Sequence, residues 1–197
     1  MKTRLALLLT SAARAKLLQL FALFSDEPLR FRDIQRRIGV GSRSLQLELR
    51  RLEDLELIAR QGRGREVRFR ACTDNPLWLP VWQMVAGLAR PDEICRILLA
   101  DLAGVDAAFV YGSVARDDAR PDSDVDVFVV GAGVDEIELA RRTSEAGALL
   151  GREVNVAIYT PQQVREMVRA GHPYIGRVMR EPKIWVRGED NGSLLAA

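Results

Sequence analysis

Residues 111–130 read Tyr111-Gly112-Ser113-Val114-Ala115-Arg116-Asp117-Asp118-Ala119-Arg120-Pro121-Asp122-Ser123-Asp124-Val125-Asp126-Val127-Phe128-Val129-Val130. An apolar run from Ala107 to Tyr111 is closed by the Gly112-Ser113 pair, and ten residues separate Ser113 from Asp124. Asp124-Val125-Asp126 then opens a second apolar run that ends at Val130. Both apolar runs have the length and composition of strands, and the small-residue pair between them reads as a tight bend. Two acids at i and i+2 on a strand share a face, because side chains alternate with period two. Like charges at 4 Å repel by about 4 kcal/mol at an effective dielectric near 20. A cation between them removes that penalty. Mg²⁺ is commonly held by one or two carboxylates plus substrate phosphates. Glycine lets backbone approach a phosphate, and the N–H groups that open a following helix attract anions. The segment therefore has the parts of a site for a metal–nucleotide complex.

Gly-Ser, ten residues, then Asp-x-Asp resembles the signature of the minimal nucleotidyltransferases of the DNA polymerase beta superfamily. The resemblance implies that Gly112 and Ser113 bind a nucleoside triphosphate and that Asp124 and Asp126 hold Mg²⁺ or Mn²⁺. It places Arg116 where it reaches a phosphate, and Ser123 immediately before the metal pair. The implied reaction moves a nucleoside monophosphate, AMP from ATP, to an acceptor hydroxyl. Relatives of this kind act as antitoxins that adenylylate a partner toxin, so the resemblance extends to a protein acceptor or toxin. One position departs from the pattern. A third acid belongs between apolar residues on a later strand, and the matching stretch is Val154-Asn155-Val156. Asn155 offers a carbonyl oxygen to a cation but is neutral and takes no proton as a base. Glu153, two positions away, shares its face. Catalysis by Asp124, Asp126 and Asn155 and nucleotide binding without turnover both remain open at this point.

The remaining sequence contains a second module. Residues 1–70 carry 16 Lys and Arg against 8 Asp and Glu, whereas residues 71–197 carry 13 against 19. Such asymmetry implies two parts with different partners. In the basic part, Leu17, Leu18, Phe21 and Phe24 recur at helical spacing until Ser25-Asp26-Glu27-Pro28 interrupts them. A second helix fits Phe31 to Ile38, and Gly39-Val40-Gly41 makes a turn. Ser42 is expected to cap a third helix reaching about Leu55, with Leu45, Leu49, Leu52 and Leu55 turned inward. Leu57 to Gln61, the Gly62-Arg63-Gly64-Arg65 turn and residues 66–70 form a basic hairpin. Three helices and a hairpin make a winged helix-turn-helix, and the pattern resembles the DNA-binding domains of small ArsR-type regulators. In such domains the third helix enters the major groove of double-stranded DNA and the wing touches the backbone. Arg43 and Gln46 then face the bases, Ser44 lies beside them on the DNA-binding side, and Arg50, Arg51, Arg63 and Arg65 meet phosphates. Regulators of this type bind as two-fold dimers, so a homodimer is expected.

The sequence therefore predicts an α+β protein with a winged helix-turn-helix domain at 1–71, a helical connector at 72–103 and a small mixed-sheet nucleotidyltransferase domain at 104–197. Cys72 and Cys95 fit no metal-ligand spacing and read as free thiols of a reducing compartment. The apolar core near the start runs only from Leu5 to Leu9, short for an export signal, and no stretch suits a membrane span. A cytoplasmic location is the expectation. A single histidine, His172, excludes a histidine-based zinc cluster.

Overall fold

The computed structural model describes residues 3–188, the Arg65 side chain excepted. The chain divides into two compact units, Met1–Arg90 and Pro91–Ala197.

The first unit contains α1 (Arg4–Leu9), α2 (Ala12–Leu23), β1 (Leu29–Arg30), α3 (Phe31–Ile38), α4 (Ser42–Asp54), β2 (Ile58–Gln61), β3 (Arg68–Ala71) and α5 (Trp78–Leu88). Side-chain caps separate the first two helices: Thr3 accepts from the Ala6 N–H and Ser11 from the Arg14 N–H. Leu17, Leu20, Phe21, Ile34 and Leu45 are fully buried and bring α2, α3 and α4 together. The strands form an antiparallel sheet in the order β1-β3-β2. Three details differ from expectation. Gly41, not Ser42, occupies the cap of α4. Leu55 falls beyond the helix and is half exposed, because the chain turns there through Glu56 at φ +55°. β1 was not anticipated, since two residues carry no periodicity to read.

A buried carboxylate stitches α2 to α4. Glu48 accepts from Ser11 Oγ at 3.0 Å, from Arg14 Nε at 2.8 Å and from Arg51 Nη1 at 2.8 Å. Burial pushes its carboxyl up, but the hydrogen bonds from Arg14 and Ser11 and the charges of Arg14 and Arg51 outweigh that and hold it below the usual range.

The second unit contains α6 (Pro91–Leu99), β4 (Val105–Tyr111), α7 (Ser113–Arg116), β5 (Val125–Gly131), α8 (Glu136–Leu150), β6 (Val154–Tyr159), α9 (Pro161–Arg169), α10 (Pro173–Arg180) and β7 (Ile184–Arg187). The sheet order is β6-β5-β4-β7, with β5 and β6 parallel and the other pairs antiparallel. The parallel pair requires a crossover, and α8 supplies it. On one face Phe109, Tyr111, Phe128 and Val130 pack against Val164 of α9 and Ile175 and Val178 of α10. Rings of Phe109 and Phe128 stack at 5.1 Å, and those of Phe128 and Tyr159 at 5.2 Å, so one aromatic row crosses three strands. The alternate residues Val125, Val127 and Val129 point to the other face, and α6 and α8 pack on each other and on the sheet. Arg142 of α8 is buried and donates to Leu98 O at 2.8 Å and Asp101 Oδ1 at 2.7 Å, tying α8 to the end of α6. These contacts leave one end of β4, β5 and β6 open beside α10.

Candidate active site

The site begins where β4 stops. Tyr111 lies opposite Asp126 in the antiparallel register, and Asp126 lies opposite Asn155 in the parallel one. Three positions that the sequence treats as separate signals therefore stand side by side across the sheet. Gly112 then turns the chain at φ +72°, ψ −147°, a conformation essentially reserved for glycine. A Cβ there would meet Asp126 Oδ2 at 2.6 Å, so the bend packs directly against the acid. Ser113 opens α7, whose single turn is closed by the Arg116 N–H donating to Gly112 O at 3.1 Å.

Asp124 and Asp126 share a face, Asp124 exposed and Asp126 half buried. Burial pushes the Asp126 carboxyl up, and the negative charge of Asp124 adds to it, against the opposing charges of Arg116 and Arg177. Asn155 Nδ2 donates to Asp124 Oδ2 at 3.4 Å, so the neutral residue leans on one acid of the pair. Glu153 is exposed just before β6. Ser123 acts locally: its Oγ accepts from the Arg120 N–H at 2.9 Å and closes the turn that delivers Asp124. Arg116 is exposed and already engaged, by Asp118 at 3.1 Å and Glu181 at 3.6 Å.

Three further residues at the site come from α10 and its end. Tyr174 meets Tyr111 hydroxyl to hydroxyl at 2.8 Å, and Arg177 lies with its guanidinium carbon 5.9 Å from the Tyr174 ring centroid. Burial and the Tyr174 hydrogen bond push the Tyr111 hydroxyl up, so it keeps its proton. Glu181 caps the helix and holds Arg116. Tyr174, Arg177 and Glu181 follow one another at i, i+3 and i+7, a single helical stripe. That spacing was the available signal, but nothing local to it says which sheet face the helix covers.

In sequence, residues 92–184 match the family model described as the nucleotidyltransferase domain. The second unit resembles a nucleotidyltransferase domain over most of its described length. No curated protein matches the chain. Nucleotidyltransferase domains work with a divalent metal and a nucleoside triphosphate. Here the donors suit a hard cation: two carboxylates on one face and a backbone bend that leaves no room for a side chain beside them. Among the described residues no group of three or more His, Cys, Asp or Glu side chains gathers at one point. A cation at this site would accordingly rest on Asp124 and Asp126.

The predicted DNA-contacting residues lie elsewhere, on the first unit. Arg43, Ser44, Gln46 and Arg50 are exposed on α4, and Arg43, Gln46 and Arg50 form one stripe at i, i+3 and i+7. Arg51 is exposed but bound to Glu48. Arg63 is exposed ahead of a 3-10 turn, Gly64–Glu66, whereas the Arg65 side chain lies outside the described residues.

Proposed function

We propose that the protein transfers a nucleoside monophosphate, AMP from ATP, to an acceptor hydroxyl, and that its first unit binds double-stranded DNA. The observation that carries the first part is the packing of Gly112 against Asp126, which joins the bend and the acid pair into one pocket. Asp124 and Asp126 hold the cation, Gly112 and Ser113 lie against the triphosphate, and Asn155 fixes Asp124. The cation neutralises phosphate charge when bound. The acceptor oxygen forms a bond to the α-phosphorus, the bond to the β-phosphate oxygen breaks, and pyrophosphate leaves. With asparagine at position 155, the acceptor proton goes to water rather than to a third carboxylate. A protein hydroxyl is the acceptor the reading favours.

For the first unit we infer a winged helix-turn-helix. The order of α2, α3 and α4 ahead of the β2–β3 hairpin supports it, as does the exposed Arg43, Gln46 and Arg50 stripe of α4. The DNA-bound form in this reading is a two-fold dimer.

A second reading has a specific support, the amide of Asn155 opposite Asp126. On that reading the domain binds nucleotide as an effector and turns nothing over. Labelled ATP with Mg²⁺ or Mn²⁺ separates the two. Pyrophosphate release by the wild type, abolished by Asp124→Asn with Asp126→Asn, establishes the transferase. Nucleotide binding without release in the wild type, with release gained in Asn155→Asp, establishes the effector domain. Absence of nucleotide binding in the wild type removes both.

A further inference from the structure

Among the described residues Arg116 and Arg177 oppose the carboxylate charge at Asp126, and they differ in what they already hold. Arg116 is shared between Asp118 at 3.1 Å and Glu181 at 3.6 Å. Arg177 is exposed, and among the described residues its side chain makes no ion pair or hydrogen bond; its guanidinium carbon lies 5.9 Å from the Tyr174 ring centroid. A short chain of contacts fixes its place. Arg177 stands one turn beyond Tyr174, Tyr174 bonds Tyr111 at 2.8 Å, and Tyr111 is the register partner of Asp126. The carrier is equally fixed, because Ile175 and Val178 of the same helix are fully buried against the sheet.

We propose that Arg177 binds the outer phosphates of the nucleotide and makes the site select a triphosphate over a monophosphate. The inference rests on the nucleotide-binding reading above. Its chemistry follows from the inventory of charge. Asp124, Asp126 and a polyphosphate are all anionic, so a bound cation leaves negative charge uncompensated toward the outer phosphates. A guanidinium offers a planar fork of donors that matches phosphate oxygens two at a time. To serve in this way, Arg116 must release two carboxylates, whereas among the described residues no carboxylate pairs with Arg177. The two arginines also lie along one border of the site, since Glu181, one turn past Arg177, is the residue that holds Arg116. The selected ligand class is therefore a nucleoside triphosphate that runs from the Gly112–Ser113 bend toward α10.

Calorimetric titration of the full chain with ATP and with AMP, each with Mn²⁺, tests this. Wild type, Arg177→Ala, Arg177→Lys and the same-helix control Arg180→Ala are compared, with melting curves to verify folding. The expected result for Arg177→Ala is an ATP affinity roughly 10- to 100-fold weaker, the range for a lost charge-assisted contact, with AMP affinity nearly unchanged. Arg177→Lys should recover part of the loss, because it keeps the charge without the fork, and Arg180→Ala should match wild type. Equal weakening toward ATP and AMP, or ATP binding by folded Arg177→Ala at wild-type strength, overturns the assignment and leaves nucleotide binding intact. No ATP uptake by the wild type overturns the nucleotide reading and this assignment together.

Discussion

At the scale of single residues, the position on which most depends is Gly112. Its φ of +72° with ψ of −147° is open to glycine alone at low cost, and the missing Cβ is what lets Asp126 Oδ2 approach. Gly112→Ala therefore meets two penalties at once. The strained backbone costs about 1–3 kcal/mol. The added Cβ, only 2.6 Å from Oδ2, in addition displaces the Asp126 carboxylate. The expected outcome is a folded protein with a lower melting temperature that takes up neither Mn²⁺ nor ATP. Melting curves and calorimetry measure the two effects separately. Retention of full ATP affinity in Gly112→Ala would mean that the bend and the acids do not act as one pocket. Ser113→Ala, by comparison, removes a half-buried hydroxyl without touching the backbone and should leave stability nearly unchanged.

At the scale of elements, charged groups brace the helices, and one cluster, within α8, has a pH signature. Glu138 of α8 receives Arg141 Nε and Nη2, both at 2.8 Å, and Arg142 Nε at 2.7 Å. These hydrogen bonds, led by Arg141 and opposed by partial burial, bring its carboxyl down from 4.5 to about 2. A carboxylate with a depressed folded value stabilises the fold above its unfolded value and loses that contribution as pH falls toward the folded one. Stability from Glu138 should therefore decline between about pH 4.5 and about pH 2. Thermal melts across that interval should show a shallower decline in Glu138→Gln than in wild type, starting from a less stable protein at neutral pH. Parallel slopes in the two proteins would exclude that contribution. How much of the architecture was legible in the sequence also divides by element. β4, the bend and β5 were readable because each signal is local: an apolar run, a glycine, acids at period two. Asn155 was readable too, since an apolar strand brackets it. The α10 half of the site was not. A helix records which of its faces is apolar, but the choice of sheet face is made by Phe109, Phe128 and Val130, far from it in sequence. Likewise, two-residue β1 exists only because β3 offers it an edge at Phe69 and Arg68.

At the scale of the whole molecule, charge is the property that separates the two units. The excess of Lys and Arg falls within residues 1–70, and the acidic excess lies in the rest, which holds Asp124 and Asp126. Several of the basic side chains are not available to a polyanion. Arg14 and Arg51 hold Glu48, and Arg37 is buried over the Phe24 ring at 4.3 Å, beside Glu27. Arg43, Arg50 and Arg63 remain exposed along α4 and the hairpin. Duplex binding through such a face replaces condensed counterions, so affinity must fall as salt rises. Each phosphate contact contributes about −0.9 to the slope of log K against log salt, and about six contacts give a slope near −5. Arg63→Ala should lower the magnitude of that slope by about one and weaken all duplexes alike. Arg43→Ala and Gln46→Ala should instead narrow the difference between preferred and random duplexes, by about 1–3 kcal/mol for a lost base contact. Fluorescence anisotropy over a salt series measures both quantities on the full chain. A flat response to salt would remove DNA as the partner of the first unit.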